Sequence, residues 1–123
     1  MFSGVVSHFL KILINRPRPT KDLVRIIENA RHQSFPSGHV LFYIIFFGFM
    51  IVLLYHLKLF SRRIRIALIS FCSVMILAIP FSRIYLGAHW FTDVLASVFL
   101  GIIFLFILSY FYLQASVTRH EAN

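Results

Sequence analysis

The sequence predicts an all-α integral membrane protein, a helical bundle in which three full transmembrane helices follow a partial helix and a short interfacial helix. Of its 123 residues, 59% are hydrophobic and 13% are charged, whereas soluble domains have about 45–50% and 25%. In addition, three apolar runs are close to the length at which a helix crosses a hydrocarbon core of about 30 Å. These observations exclude a soluble globular domain, because so few polar residues cannot cover so apolar a core.

The two short helices are predicted in the first 30 residues. Residues 1–15 are apolar but include Lys11, and as a helix they reach only about 22 Å, which is too short to span. Pro17 and Pro19 disfavour helical backbone at the residues before them, so the partial helix should end near residue 15. Residues 20–30 fit a helix that lies in the membrane interface, because their apolar side chains share one face. That face holds Leu23, Ile26, Ile27 and Ala30.

The three spans are predicted at residues 39–59, 64–81 and 91–113. The apolar part of the first is interrupted only by Gly48 and His56, and the apolar part of the third contains no charge. The first two are separated by a basic segment, residues 58–65, that contains no acidic residue. Its cations are Lys58, Arg62, Arg63 and Arg65.

The polar residues that look costly for a membrane protein fall in three clusters near the ends of the helices. The clusters are Lys11 with Arg18, then Pro36 to His39, then Ser82 and Arg83 with His89 and Asp93. Consecutive helices joined by short loops alternate in direction. The three clusters should therefore meet on one side of the membrane, and the basic segment should lie on the other.

The side chains brought together in this way suit a phosphate group. Lys11, Arg18 and Arg83 supply positive charge, and arginine can bind phosphate oxygens through two parallel hydrogen bonds. Ser37 and Gly38 stand at the start of a helix, where backbone N–H groups and the helix dipole favour an anion. A formal net charge of +8 agrees with anionic lipids or phosphates as partners,. Nucleic acid is not expected as a partner of so apolar a chain.

The histidines suggest catalysis. His89 and Asp93 are four residues apart, which predicts that they are neighbours on one helical face,. The carboxylate could then hold one ring nitrogen while the other acts as a nucleophile or a base. His39 would supply a second imidazole that protonates the leaving oxygen. The set predicts phosphoryl transfer.

The spacing of these residues resembles the three signature motifs of the type 2 phosphatidic acid phosphatase family, the lipid phosphate phosphatases. The first motif corresponds to Lys11, six residues, Arg18 and Pro19, and the second to Pro36-Ser37-Gly38-His39. The third corresponds to Ser82-Arg83, five residues, His89, three residues and Asp93. A match to three motifs in order is far more specific than a match to one.

The resemblance implies hydrolysis of a lipid phosphate monoester or a polyprenyl diphosphate. It implies that His89 forms a phosphohistidine, that Asp93 orients it, and that His39 is the general acid. The phosphate-binding residues would be Lys11, Arg18, Ser37, Gly38 and Arg83. No metal or other cofactor is implied. Because integral members resemble six-helix proteins, the chain is expected to correspond to the C-terminal part of such an enzyme, with an oligomer or an N-terminal segment as a further partner.

Other interpretations stay open from sequence alone. The same intermediate would serve a phosphotransferase, and a non-catalytic membrane protein could bind anionic lipid or a partner chain. His39, His89 and Asp93 could instead form a metal site with two histidines and one carboxylate. Vanadate-dependent peroxidases share the motifs, but they are soluble, and three bilayer-length spans argue against them.

The orientation follows from the charges. Once the residues expected to bind phosphate are set aside, the two sides carry similar numbers of basic residues, and the dense basic segment is the clearer cytoplasmic signal. We therefore expect a plasma-membrane protein whose site faces the extracytoplasmic side.

Overall fold

Three long helices make up most of the described part of the chain in a computed structural model, which describes Phe9, residues 12–14, Pro17 and residues 34–121. The helices are α1 (Gly38–Leu57), α2 (Arg62–Tyr85) and α3 (Phe91–Glu121). Each is long and apolar enough to cross a membrane, which confirms the predicted all-α membrane fold. Phe9 and residues 12–14 are helical. The rest of the predicted partial helix and the whole interfacial helix, residues 20–30, lie outside the described residues.

Two of the helices are longer than the spans predicted for them. Helix α2 was expected at residues 64–81 but continues through Pro80 to Tyr85. Proline removes one backbone donor from a helix, so the carbonyl four residues earlier loses its helical partner, yet here the helix does not end. Helix α3 was expected to end at residue 113 and continues to Glu121.

Helices α1 and α3 run parallel, because the connection through α2 reverses the chain direction twice. Ser37 and Ser97 touch at one end of the pair and His56 and Ser116 at the other, and each pair is separated by 60 residues in sequence. A constant sequence offset along two helices indicates the same direction. The starts of α1 and α3 therefore lie together with the end of α2, as predicted.

Two glycines allow α1 and α3 to approach closely. A Cβ on Gly101 would come within 2.9 Å of Cγ2 of Ile44, and a Cβ on Gly48 would come within 2.3 Å of Cδ2 of Leu105. Small residues commonly serve this purpose between membrane helices, where close packing replaces the hydrophobic effect as the driving force.

The apolar core lies near the shared end of the helices. Val40 and Ile44 of α1 and Val94 of α3 are buried there, and Ile76 and Ile79 of α2 pack against them. Helix α1 contacts both other helices extensively, whereas α2 and α3 contact each other less. Helix α1 therefore forms the centre of the described bundle.

Candidate active site

The buried polar side chains of the described residues lie at one end of the bundle. The residues are Ser34, Ser37, His89, Asp93 and Ser97. They come from separate segments of the chain, but hydrogen bonds of their side chains and backbone connect the five residues into one group, which we call the polar network. Buried polar groups are costly in an apolar environment unless they are hydrogen-bonded, so these bonds hold the group together.

Ser34 contacts both His89 and Asp93 of the third motif. Its hydroxyl donates a hydrogen bond to Oδ2 of Asp93. Its backbone carbonyl oxygen lies 2.6 Å from Nδ1 of His89. Because a carbonyl only accepts hydrogen bonds, Nδ1 must carry the proton in this contact. The lone pair of the neutral imidazole is then on Nε2.

A second serine joins the second motif to α3. The backbone N–H of Ser37 donates to Oγ of Ser97 over 2.7 Å, and the Ser97 hydroxyl donates to the backbone carbonyl of Asp93 over 2.7 Å. Ser97 is fully buried. Its hydroxyl therefore fixes the start of α1 against the first turn of α3.

The chain between Arg83 and His89 is a tight helix ending. Gly87 has a positive φ of 65°. Its N–H bonds to the carbonyl of Ile84, and the N–H of Ala88 bonds to the carbonyl of Arg83. These two bonds with a left-handed glycine form the Schellman motif. The third motif has five residues between Arg83 and His89. The first two are the last helical residues of α2, and the other three form this cap.

The start of α1 carries a serine that does not cap its own helix. Ser37 is the N-cap residue, but its hydroxyl makes no capping hydrogen bond. The oxygen is buried and has no hydrogen-bond partner among the described residues. A hydroxyl in this position is available to an anion at the helix start, where the backbone N–H groups also point.

Asp93 also stabilises the start of α3. Its Oδ2 accepts a hydrogen bond from the backbone N–H of Trp90 over 3.3 Å, which is the arrangement of the N3 carboxylate in a capping box. The indole of Trp90 donates to the carbonyl of Pro17 over 3.0 Å. Pro17 precedes Arg18 of the first motif in sequence, and this contact brings Pro17 to the residue that follows His89.

The structure gathers the described members of the predicted site at the shared end. They are Ser37, Gly38, His39, Arg83, His89 and Asp93. His39 is the second residue of α1 and its side chain is exposed, whereas Arg83 lies half-buried in the last turn of α2. Lys11 and Arg18 lie outside the described residues.

One geometric prediction was wrong. His89 does not stand on the same helical face as Asp93, because α3 begins at Phe91 and His89 lies in the turn before it. Residues 86–88 form the Schellman cap of α2, and His89 follows them directly, before α3 begins.

Sequence reasoning missed Ser34 and Ser97. Ser97 follows Asp93 by four residues in an otherwise apolar helix, a spacing that puts both on one face, so it could have been selected. Ser34 lies just outside the second motif, and no spacing rule connects it to His89.

The described residues contain no group of three or more histidine, cysteine, aspartate or glutamate side chains placed to hold a metal ion. The arrangement of the described site is instead an imidazole with a defined tautomer, beside a helix start and an arginine. Such a set can attack an electrophile and bind an anion.

Three comparisons with known proteins relate this chain to phosphatases. The sequence model of the PAP2 superfamily matches residues 1–116. The protein named lipid phosphate phosphatase delta from Arabidopsis thaliana is 26% identical over 112 residues, which cover 85% of this chain and 27% of that protein. The crystal structure of a transmembrane PAP2-type phosphatidylglycerolphosphate phosphatase from Bacillus subtilis matches with a TM-score of 0.79 and 27% identity. That match covers 92% of this chain and 55% of the other chain. The chain thus spans about a quarter of the first protein and about half of the second.

Proposed function

The chain belongs to the PAP2 superfamily, and from that membership we propose that it removes phosphate from a lipid phosphate through a phosphohistidine on His89. The relatives from Arabidopsis thaliana and Bacillus subtilis are named as phosphatases of lipid phosphates. The proposal extends their reaction to this chain and assigns the steps to its own residues.

The observation that supports the proposal best is the environment of His89. Its imidazole is buried, with 6% of its surface exposed, and its Nδ1 contacts the carbonyl of Ser34. Nε2 is then the nucleophilic atom, because it carries the lone pair of the neutral ring.

In the first step, Nε2 of His89 attacks phosphorus and the bond between phosphorus and the lipid oxygen breaks. His39 donates a proton to this oxygen, so that the lipid leaves as an alcohol, or as a monophosphate from a diphosphate. In the second step, a water molecule attacks the phosphohistidine and His39 removes its proton. The bond between Nε2 and phosphorus breaks, inorganic phosphate is released, and His89 returns to its neutral form.

The phosphate oxygens are bound by Lys11, Arg18 and Arg83, together with the hydroxyl of Ser37 and the backbone at Gly38. Arginine and helix-start donors stabilise the negative charge that spreads over the equatorial oxygens in the transition state. Two observations support the part assigned to Ser37. Its hydroxyl is buried without a partner among the described residues, and it makes no capping bond at the start of α1.

The substrate is a phosphate attached to an apolar tail. The polar network lies at the end of three helices that are each suited to a bilayer. Large apolar side chains of α2 and α3 are exposed near that end, among them Phe81, Tyr85 and Leu95. A lipid tail can lie against such side chains while its phosphate enters the site.

The site faces the extracytoplasmic side of the plasma membrane. The basic segment, residues 58–65, comprises the connection between α1 and α2 and the first turn of α2, and it lies at the opposite end of the bundle from His89. Dense positive charge near the ends of membrane spans favours the cytoplasm.

The test is phosphate release from a radiolabelled short-chain lipid phosphate in detergent, with the histidine variants His89→Gln and His56→Gln. His89→Gln should lower turnover by about 10³-fold or more, because the nucleophile is lost. His56→Gln is the matched control, since His56 lies at the other end of α1 beside Ser116, and it should keep full turnover.

The intermediate is tested by acid–base stability. The native chain, quenched during turnover, should carry label that is stable in base and released in acid, as expected of a phosphorus–nitrogen bond, and His89→Gln should carry none. Undiminished turnover in His89→Gln would refute the mechanism. Transfer of the label to an added alcohol instead of water would make the protein a phosphotransferase.

A further inference from the structure

We propose that Ser34 is a positioning residue that, together with Asp93, fixes the tautomer and the orientation of His89. The inference rests on the function proposed above, because it concerns the residue assigned there as the nucleophile. Ser34 belongs to none of the three sequence motifs.

Ser34 contacts two residues of the site at the same time. The Ser34 hydroxyl donates to Oδ2 of Asp93, and the Ser34 carbonyl lies 2.6 Å from Nδ1 of His89. Asp93 and Ser34 have no exposed surface. Water is therefore kept from the Ser34–Asp93 hydrogen bond, and a shift of the Ser34 backbone would disturb both contacts together.

The anchoring of Ser34 has a direct chemical effect on His89. Asp93 is itself fixed by the backbone N–H of Trp90 and by its place in the first turn of α3. Its carboxylate holds the Ser34 hydroxyl, and the adjacent carbonyl is thereby held in the plane where it can accept from Nδ1–H. The carbonyl selects the Nδ1–H tautomer, which leaves the lone pair on Nε2 for attack.

The sequence position of Ser34 explains why this residue can serve both partners. It stands three residues before Ser37, whose N–H is bonded to Ser97, and Pro36 between them is fully buried. The short segment from Ser34 to Ser37 is thus fixed to α3 at both of its ends. The start of α1 and the imidazole consequently move as one unit.

The first test measures the tautomer of His89 directly and requires no turnover. The full chain is prepared with isotopically labelled histidine, and nitrogen NMR distinguishes protonated from unprotonated ring nitrogens, with His89→Gln used to assign the signals. The native chain should show His89 with protonated Nδ1. In Ser34→Ala, which removes only the hydroxyl, a substantial share of the Nε2–H tautomer should appear.

The second test measures catalysis in the same variants. Ser34→Ala should lower kcat by about 10- to 100-fold, the effect of one lost buried hydrogen bond or two, and should change KM by less than about threefold. Ser34→Thr keeps the hydroxyl and should restore most of kcat. Ser73→Ala is the matched control, because the Ser73 hydroxyl bonds to the carbonyl of Ile69 within α2 and takes no part in the polar network. It should leave kcat and the His89 signals unchanged.

A double-mutant cycle separates positioning from simple destabilisation. If Ser34 and Asp93 position the imidazole as one unit, the variant with both Ser34→Ala and Asp93→Ala should be about as slow as Asp93→Ala alone, whereas independent effects multiply. Multiplying effects would overturn the proposal, as would a lower kcat in Ser34→Ala with the His89 signals unchanged. A shifted tautomer in Ser34→Ala together with a native chain that releases no phosphate from any lipid phosphate would refute the proposed function and leave the positioning intact.

Discussion

At the level of single residues, serine hydroxyls make several of the hydrogen bonds that hold the candidate site together. The hydroxyl of Ser97 accepts from the N–H of Ser37 and donates to the carbonyl of Asp93, in both cases over 2.7 Å. It connects the start of α1, where phosphate is proposed to bind, to Asp93 in the first turn of α3. Its loss should affect both stability and substrate binding.

We predict that Ser97→Ala lowers the free energy of unfolding by about 1–3 kcal/mol, because the buried N–H of Ser37 loses its acceptor. The apparent KM should rise, since Ser37 is no longer held at the site. The measurements are thermal unfolding in detergent and the concentration dependence of phosphate release. Ser109→Ala is the matched control on the same helix, because its hydroxyl has no hydrogen-bond partner among the described residues, and it should leave both quantities nearly unchanged. Equal losses in the two variants would contradict the role of Ser97.

The position of the candidate site could be predicted more fully than its geometry. Motif spacing selected His39, Arg83, His89 and Asp93, and the structure places these four residues at one end of the bundle. The roles assigned to them stay predictions. The residue that contacts Nδ1 could not be predicted, since the contact uses the backbone carbonyl of Ser34, and every residue has one. Side-chain type therefore carries no signal for it.

The cap of α2 determines how the elements place Arg83 and His89 relative to each other. We predict that Gly87→Ala lowers the free energy of unfolding by about 1–2 kcal/mol, because an L-residue is strained at the φ of 65° that Gly87 adopts,. It should also lower kcat, since relief of that strain moves His89 away from α1. Gly87→Asn should lose less on both measures, because asparagine accepts left-handed backbone more readily. Unfolding in detergent and phosphate release measure the two effects, and a variant with alanine as stable and active as the native chain would refute this account.

Gly48 and Gly101 both lie in the contact between α1 and α3, but they should differ in how well they tolerate a larger side chain. Gly101→Ala should lower the free energy of unfolding by about 1–3 kcal/mol, because the new methyl meets Cβ of Ile44 at 3.0 Å and that atom is fixed to the backbone,. Gly48→Ala should cost much less. Its methyl meets the flexible end of Leu105, and alanine favours a helix over glycine by about 1 kcal/mol. Thermal unfolding of both variants in detergent tests the order, and a larger loss in Gly48→Ala would reverse it.

The existence of the three long helices was predictable because apolar runs of bilayer length are a strong signal. The C-terminal ends of α2 and α3 were not predictable in this way. Helix α2 continues past Pro80 to a cap at Gly87, and neither the run nor the proline marks that point. The cap is a backbone arrangement whose only trace in the sequence is one glycine among several.

At the level of the whole molecule, the parallel course of α1 and α3 puts all described site residues at one end. We predict that the opposite end is cytoplasmic, because it carries the basic segment, residues 58–65. Helix α3 ends on that side. A green fluorescent protein fused after Asn123 should therefore fluoresce in bacteria, where it matures only in the cytoplasm, and an alkaline phosphatase fused there should be inactive. The reverse pattern would place the site in the cytoplasm.

The connections at the two ends of the bundle differ in a way that determines where the chain can be divided. Residues 58–61 between α1 and α2 are exposed and lie far from the polar network, so a cut or an inserted segment there should be tolerated. Residues 86–88 form the cap of α2, and His89 and Trp90 follow them directly. An insertion in this connection would separate Arg83 from the imidazole. A cut in the first connection would give one piece with Ser37 and His39 and another with Arg83, His89 and Asp93. Neither piece holds a complete site, so phosphate release from a mixture of the two would report their reassembly in the membrane.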